Sequence, residues 1–150
     1  MRQALKLARK GLGKTSPNPM VGAVIVKGTR IIAQGYHKAF GLDHAEVDAL
    51  KSAKEDVAGA TLYVTLEPCR HYGKTPPCTD AIIKSKIGRV VIGMLDPDPR
   101  MKGESVSLLN RIGIKTTVGV LEADCFALNE KYVKHRTIGI PFVTLKWAQT

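Results

Sequence analysis

No stretch of this 150-residue chain approaches the ~20 consecutive apolar residues that a membrane-spanning helix needs. Nor does it open on an export signal: Met1 to Gly13 alternates basic and apolar residues without a hydrophobic block. Cysteine is scarce and odd in number, at three, which argues against a disulfide framework and for reduced thiols in a cytoplasm. Aromatic residues make up 5%, little for a protein that grips unstacked bases between rings. Basic residues never form a block of five or more, which weakens the case for a nucleic-acid-binding arm. Internal repeats and low-complexity segments are absent as well.

Basic residues are nevertheless plentiful. Lys and Arg number 23 against 13 Asp and Glu, for a net charge of +10. Such an excess suits an anionic partner, either a nucleic acid or a phosphorylated small molecule; a solvated lysine-rich surface is the plainer reading. At 150 residues and 44% hydrophobic content, one domain with an ordinary core is expected.

Along the chain, Met1, Ala4, Leu5, Ala8 and Leu12 share one helical face, and Gly11 and Gly13 end that helix. Thr15 to Pro19 is a proline-rich turn. Val21–Val26 and Arg30–His37 read as an antiparallel hairpin turning at Lys27-Gly28-Thr29. A helix from His44 to about Ala53 follows, with Asp43 as its expected N-cap. Thr61–Leu66 is a third strand, Glu67–Pro77 a loop and Cys78–Ser85 a short helix entered through two prolines. Arg89–Leu95 is a strand broken by Asp96-Pro97-Asp98-Pro99, Ser105–Ile112 a helix stopped at Gly113, and Ile114–Val120 a fifth strand. One longer helix over Leu121–His135 and a last strand over Pro141–Trp147 complete the reading. After the hairpin, strands and helices alternate, which predicts an α/β fold with βαβ crossovers, a mostly parallel sheet and helices on both faces.

The chemistry concentrates between His44 and Cys78. His-Ala-Glu at 44–46 is followed by two Pro-Cys pairs ending at Cys69 and Cys78. A catalytic zinc takes three protein ligands and leaves a fourth position open; His44, Cys69 and Cys78 supply three, each at the end of an element. Glu46, two residues beyond His44, does not share its helix face and can project beside the open position as a general acid and base. A structural zinc or a set of buried thiols is the competing reading. Cys125, beside Phe126 and Leu128 on the last long helix, reads as core packing. Glu67, between a strand and Pro68, reads as an acceptor for loop N–H groups. Asp96 follows the fourth strand at its C-terminal end, where open α/β sheets hold their ligands.

H-A-E-V-D-A-L, T-S-P-N-P-M-V-G-A-V-I-V and above all T-L-E-P-C-R-H-Y-G-K-T-P-P-C together resemble the deaminase domain of the riboflavin-biosynthesis deaminase/reductase. The likeness runs from Met1 to Trp147. H-A-E is shared by cytidine, guanine and tRNA adenosine deaminases; the eight residues between the cysteines are specific, since two are usual elsewhere in the superfamily. The resemblance implies a three-layer α/β/α sandwich of the cytidine-deaminase type around a five-stranded mixed sheet, and Zn2+ as cofactor. It implies hydrolysis of the 2-amino group of a diaminopyrimidinone carrying a phosphoribosylamino chain, with release of ammonia. It also places His71, Lys74 and Thr75 of the long spacer by the substrate, with Asn18 and His37 as further substrate-binding candidates beside Asp96.

Two departures stand out. The family's D-P-N-P is here D-P-D-P, so Asp98 lacks a donor, and its Gly-x-Gly is here Gly103-Glu104-Ser105, so a rearranged first helical turn is expected. Ile140 to Thr150 resembles the first strand of the reductase domain, which implies a deaminase domain over 1–139, with 140–150 leading into a reductase that is absent or separate. The expected partners are a phosphorylated small molecule and possible copies of the chain itself, without nucleic acid or membrane. A nucleic-acid (tRNA adenosine) or nucleoside deaminase is the alternative enzyme, favoured by charge and disfavoured by the long spacer. An inactive deaminase-like binding module is the third reading, against which the intact ligand set and Glu46 argue.

Overall fold

The computed structural model describes residues 1–73, 75–99, 101 and 103–149. Helix α1 (Arg2–Ala8) runs into a single 3-10 turn at Arg9–Gly11. Strands β1 (Gly22–Lys27) and β2 (Arg30–Tyr36) form the hairpin, followed by α2 (Ala45–Ser52) and β3 (Thr61–Leu66). Then come α3 (Cys78–Lys84), β4 (Arg89–Met94), α4 (Glu104–Arg111) and β5 (Lys115–Val118), and finally α5 (Glu122–Leu128) and α6 (Glu130–Ile138). The sheet order is β2-β1-β3-β4-β5.

The sheet is evenly mixed. β1 pairs antiparallel with β2 and β3, while β3–β4 and β4–β5 are parallel. The alternation of strands and helices therefore predicts the β3-β4-β5 half of the sheet and overstates its parallel share: β1, joined to β2 by a hairpin, lies between β2 and β3 and runs opposite to both. The two crossovers, through α3 and α4, put the C-terminal ends of β3 and β4 side by side, so that Glu67 and Asp96 emerge at one edge. Helices α2, α3 and α4 cover one face, and α1 and α5 cover the other.

The core is aliphatic. Ile25, Leu62, Val64, Ile82, Val90, Ile92 and Leu109 are fully buried, each contributing roughly 1.5–3 kcal/mol of transfer free energy. Cys125 is buried among them as expected, and burial pushes its thiol up to about 11. One glycine sets the position of α2. A Cβ on Gly35 would lie 2.2 Å from the backbone nitrogen of Ala49 and 2.6 Å from the carbonyl oxygen of Ala45. Only hydrogen fits there, so the helix backbone seats directly on β2 and its first turn is held against the sheet.

Four sequence expectations give way. Leu12 is 71% exposed, because the chain turns after the 3-10 segment, and Leu7 is buried in its place. Asp43 does not cap α2: His44 is the N-cap, and the Asp43 carboxylate pairs with Lys51 at 2.6 Å. The expected helix over 121–135 is two, broken at Asn129. That side chain accepts from the Met20 N–H at 2.8 Å and donates to the Met20 carbonyl at 2.9 Å, so it is held by the loop before β1. Residues 140–149 form neither helix nor strand, for Pro141–Trp147 has no neighbouring strand among the described residues.

Candidate active site

Three elements converge on the metal-ligand triad. His44 enters α2 in extended conformation, Cys69 lies three residues beyond β3, and Cys78 is the first residue of α3. Their donor atoms lie within 4.8 Å of one another. His44 Nδ1 is the ring nitrogen that faces both sulfurs, 3.2 Å from Cys78 Sγ and 3.5 Å from Cys69 Sγ. A tetrahedral zinc with ordinary bond lengths holds such donors roughly 3.5–3.8 Å apart, so the set fits zinc in both chemistry and spacing. The thiols behave as a proton-sharing pair. Cys69 is drawn well below the usual thiol range by donation from Cys78 and His44, and Cys78 rises in consequence. The backbone N–H of Cys78 also donates to Cys69 Sγ at 3.3 Å.

The spacer between the cysteines is closed at its neck. The Thr79 N–H donates to the Cys69 carbonyl at 3.1 Å, directly beside the Cys78–Cys69 contact. Residues 70–73 and 75–77 therefore bulge from a pinned base. Arg70 pairs with Glu104 and His71 Nδ1 lies 3.2 Å from Met101 Sδ, tying the bulge to the approach of α4.

Glu46 stands in the first turn of α2, 3% exposed. A helix N-terminus favours a carboxylate by about 0.3–1 kcal/mol. Burial and the neighbouring Cys69 thiolate outweigh that and push the Glu46 carboxyl up to about 7. Glu67 is equally buried yet fully occupied. Its Oε2 accepts from the N–H groups of Asp96 and Gly103 at 3.2 and 3.0 Å; its Oε1 accepts from the Ser105 N–H at 3.1 Å and the Ser105 hydroxyl at 2.7 Å. The loop-binding role expected of Glu67 is thus met, and Gly103, at φ +82°, supplies the positive φ that the turn into α4 needs. Ser105 is helical, in the first turn of α4, and its hydroxyl adds a further donor to Glu67.

Over residues 1–94 the sequence matches the family model described as the cytidine and deoxycytidylate deaminase zinc-binding region. The chain belongs to this deaminase family. Riboflavin biosynthesis protein RibD of Aquifex aeolicus is 55% identical over all 150 residues, which cover 42% of that protein. The Thermotoga maritima structure described as a diaminohydroxyphosphoribosylaminopyrimidine deaminase/5-amino-6-(5-phosphoribosylamino)uracil reductase superposes with a TM-score of 0.90 and 52% identity. That match covers 95% of this chain and 41% of the other. The Aspergillus oryzae Rib2 deaminase in complex with DARIPP, a C-terminal deletion mutant, gives a TM-score of 0.69 at 25% identity, covering 90% of each chain. The chain spans about two fifths of the length of the bacterial relatives it matches.

In this deaminase two adjoining chambers meet at the triad. The inner one, of about 120 Å³, is lined by Val21, His37, Glu46, Glu67, Asp96 and Tyr132 among others; the outer, of about 150 Å³, by Phe40, Leu42, Gly73 and Thr75. Asn18, His44, Cys69 and His71 line both. Every predicted site residue within the described set therefore lies at the triad or in a chamber wall; Lys74 lies outside the described residues. His37 is already engaged. Its Nδ1 donates to the Asp43 carbonyl at 2.9 Å, so Nε2 of the neutral ring accepts from the Asn18 amide at 3.1 Å. Burial lowers its pKa, in keeping with a neutral ring. Sequence reasoning missed α6: Tyr132 and Arg136 line the inner chamber, one helical turn apart. The only sequence signal was their i, i+4 spacing.

Proposed function

We propose that this chain hydrolyses the 2-amino group of 2,5-diamino-6-(5-phosphoribosylamino)pyrimidin-4(3H)-one, releasing ammonia, as the deaminase step of riboflavin biosynthesis. The observation that carries the reading is the placement of Glu46: a buried carboxyl, pushed up to about 7 by burial and the Cys69 thiolate, lining the inner chamber beside His44 and Cys69 of the triad. A group poised there accepts and returns protons at neutral pH with little driving force lost in either direction.

His44 Nδ1 and the two cysteine sulfurs would hold the zinc, which when bound supplies a Lewis acid that acidifies water. Glu46 would remove a proton from the attacking water as the water oxygen bonds to C2 of the pyrimidine. It then delivers the proton to the ring nitrogen, and the second water proton follows the same path to the departing amine. The C2–N bond breaks and a carbonyl remains. Water and the amidine are consumed, ammonia and the uracil-type ring are formed, and no redox partner is needed.

Asn18, fixed by His37, directs its amide oxygen as an acceptor for the substrate. Asp96 accepts from ring or exocyclic N–H groups. His71 and Thr75 of the spacer, which line the outer chamber, serve the phosphoribosylamino chain, together with Lys74, which lies outside the described residues. We take 1–139 as the deaminase unit and 140–150 as the approach to a second domain, as in the two-domain relatives. Exposure of Val143, Leu145 and Trp147 at 71, 82 and 83% supports this. Among the described residues, no helix is long and apolar enough to cross a membrane.

Incubation of the purified protein with the diaminopyrimidine phosphate, with zinc or with a chelator, tests the reading. Ammonia release that needs zinc is expected. Zinc-loaded protein that releases none, or that deaminates a tRNA stem–loop instead, overturns it.

A further inference from the structure

The inner chamber has a wall opposite in character to the metal triad. Asp96 and Asp98 both line it, and Asp98 is 6% exposed. Two carboxylates so close and so poorly solvated need support, and helix α6 provides it. The Tyr132 hydroxyl lies 3.1 Å from Asp96 Oδ1 and 3.3 Å from Oδ2, and the Asp98 N–H donates to Asp96 Oδ1 at 2.9 Å. Arg136 Nη1 lies 3.7 Å from Asp98 Oδ2, within ion-pair range, and its guanidinium sits 5.5 Å over the Tyr132 ring. Tyrosine and arginine thus brace each other and together brace the acidic pair.

We propose that Tyr132 and Arg136 are positioning residues that hold Asp96 and Asp98 as an acceptor-only wall, selecting pyrimidine rings that carry an amino group besides the one hydrolysed. Carboxylates accept and do not donate. An amine or ring N–H facing them is bound, whereas a carbonyl in the same place meets lone pairs. A side-chain amide at 98 would accept and donate without discrimination; the aspartate does not, and Arg136 offsets the charge that the aspartate adds. The proposal rests on the deaminase reading above, and it assigns α6 a part in substrate selection.

The test is a set of steady-state measurements on the diaminopyrimidine phosphate with zinc-loaded wild type, R136M, R136K, D98N, the R136M/D98N double variant and Y132F. R136M should raise KM roughly tenfold, the worth of one good charged contact, with kcat within about threefold of wild type. R136K should recover most of that loss. On the D98N background, R136M should add less than about twofold, because the carboxylate it serves is gone. Y132F should raise KM severalfold through Asp96. Zinc content and melting temperature identify any variant that has lost its fold, and the isosteric D98N keeps the cycle readable. Wild-type KM in R136M overturns the proposal. So does an equal KM increase from R136M with Asp98 or Asn at position 98, which makes Arg136 a direct substrate ligand. If wild type itself releases no ammonia, the deaminase reading fails first and this inference falls with it; active wild type with silent variants defeats the inference alone.

Discussion

Glu46 and Glu67 line the same chamber and are each 3% exposed, but they sit in opposite surroundings. Around Glu67, four donors from the segment 96–105 converge on the two oxygens. Around Glu46, burial and a thiolate push the carboxyl to about 7. Burial alone therefore does not make a proton carrier. A buried carboxylate given enough donors organises backbone; Glu46, with burial and a thiolate against it, keeps its proton within reach of neutral pH. The same α/β edge provides both, because β3 ends just before Glu67 and α2 begins just before Glu46.

The sharpest way to break this comparison is a pair of isosteric substitutions. E46Q should lower kcat by about 10³-fold or more while zinc stays bound, as general acid–base catalysis contributes roughly 10²–10⁴-fold; zinc content and ammonia release are the measurements. Retained turnover would remove Glu46 from the mechanism. E67Q should do the reverse. Its amide places a donor against donors, so a loss of ~3 kcal/mol in unfolding free energy is expected, with kcat near wild type below the new melting temperature. Lost turnover without lost stability would merge the two roles.

The third prediction uses pH. In the metal-free protein Glu46 is protonated in both states below about 4.5, its ordinary value. As pH rises from there to about 7, the unfolded chain releases the proton first, so folded stability falls, by ~3 kcal/mol for a rise of this size. Chemical denaturation of metal-free wild type and E46Q at pH 5 and pH 8 checks it: the difference between the two proteins should narrow at pH 5 and widen at pH 8 in favour of E46Q. An unchanged difference would place the Glu46 carboxyl at its ordinary value. The smallest effect is expected at Ser105. S105A removes the hydroxyl from Glu67 and should cost about 1–2 kcal/mol; a neutral result would show that the three backbone donors suffice.

The candidate metal triad was legible in the sequence because metal ligation is local chemistry. His44, Glu46, Cys69 and Cys78 declare themselves by type and by short spacing, and each lies where turns and prolines mark an element end. Asp96 was legible for a similar reason, as a polar residue at a predicted strand end, and Asn18 through the resemblance of its proline-flanked turn. What could not be read depends on tertiary placement. Tyr132 and Arg136 carry no motif, and their helix reaches the site only because Asn129 breaks the chain to bond the backbone of Met20, 109 residues away. Capping of α2 was misread because Asp43 is drawn to Lys51. The expected strand at Pro141–Trp147 has the right residues, but a strand is a pairing, and pattern alone cannot supply the partner. Ser105 looked like a lost glycine in sequence, yet the glycine whose conformation matters is Gly103.

The pinned neck of the Cys69–Cys78 bulge carries a consequence for how such enzymes diversify. Since the Thr79–Cys69 and Cys78–Cys69 contacts fix the ends of the segment, its length and contents are free to change without displacing either sulfur. On the proposed function, the reaction centre and the loop are then separable inheritances: one scaffold can trade the loop for a shorter or longer version and acquire a new clientele while both sulfurs stay in place.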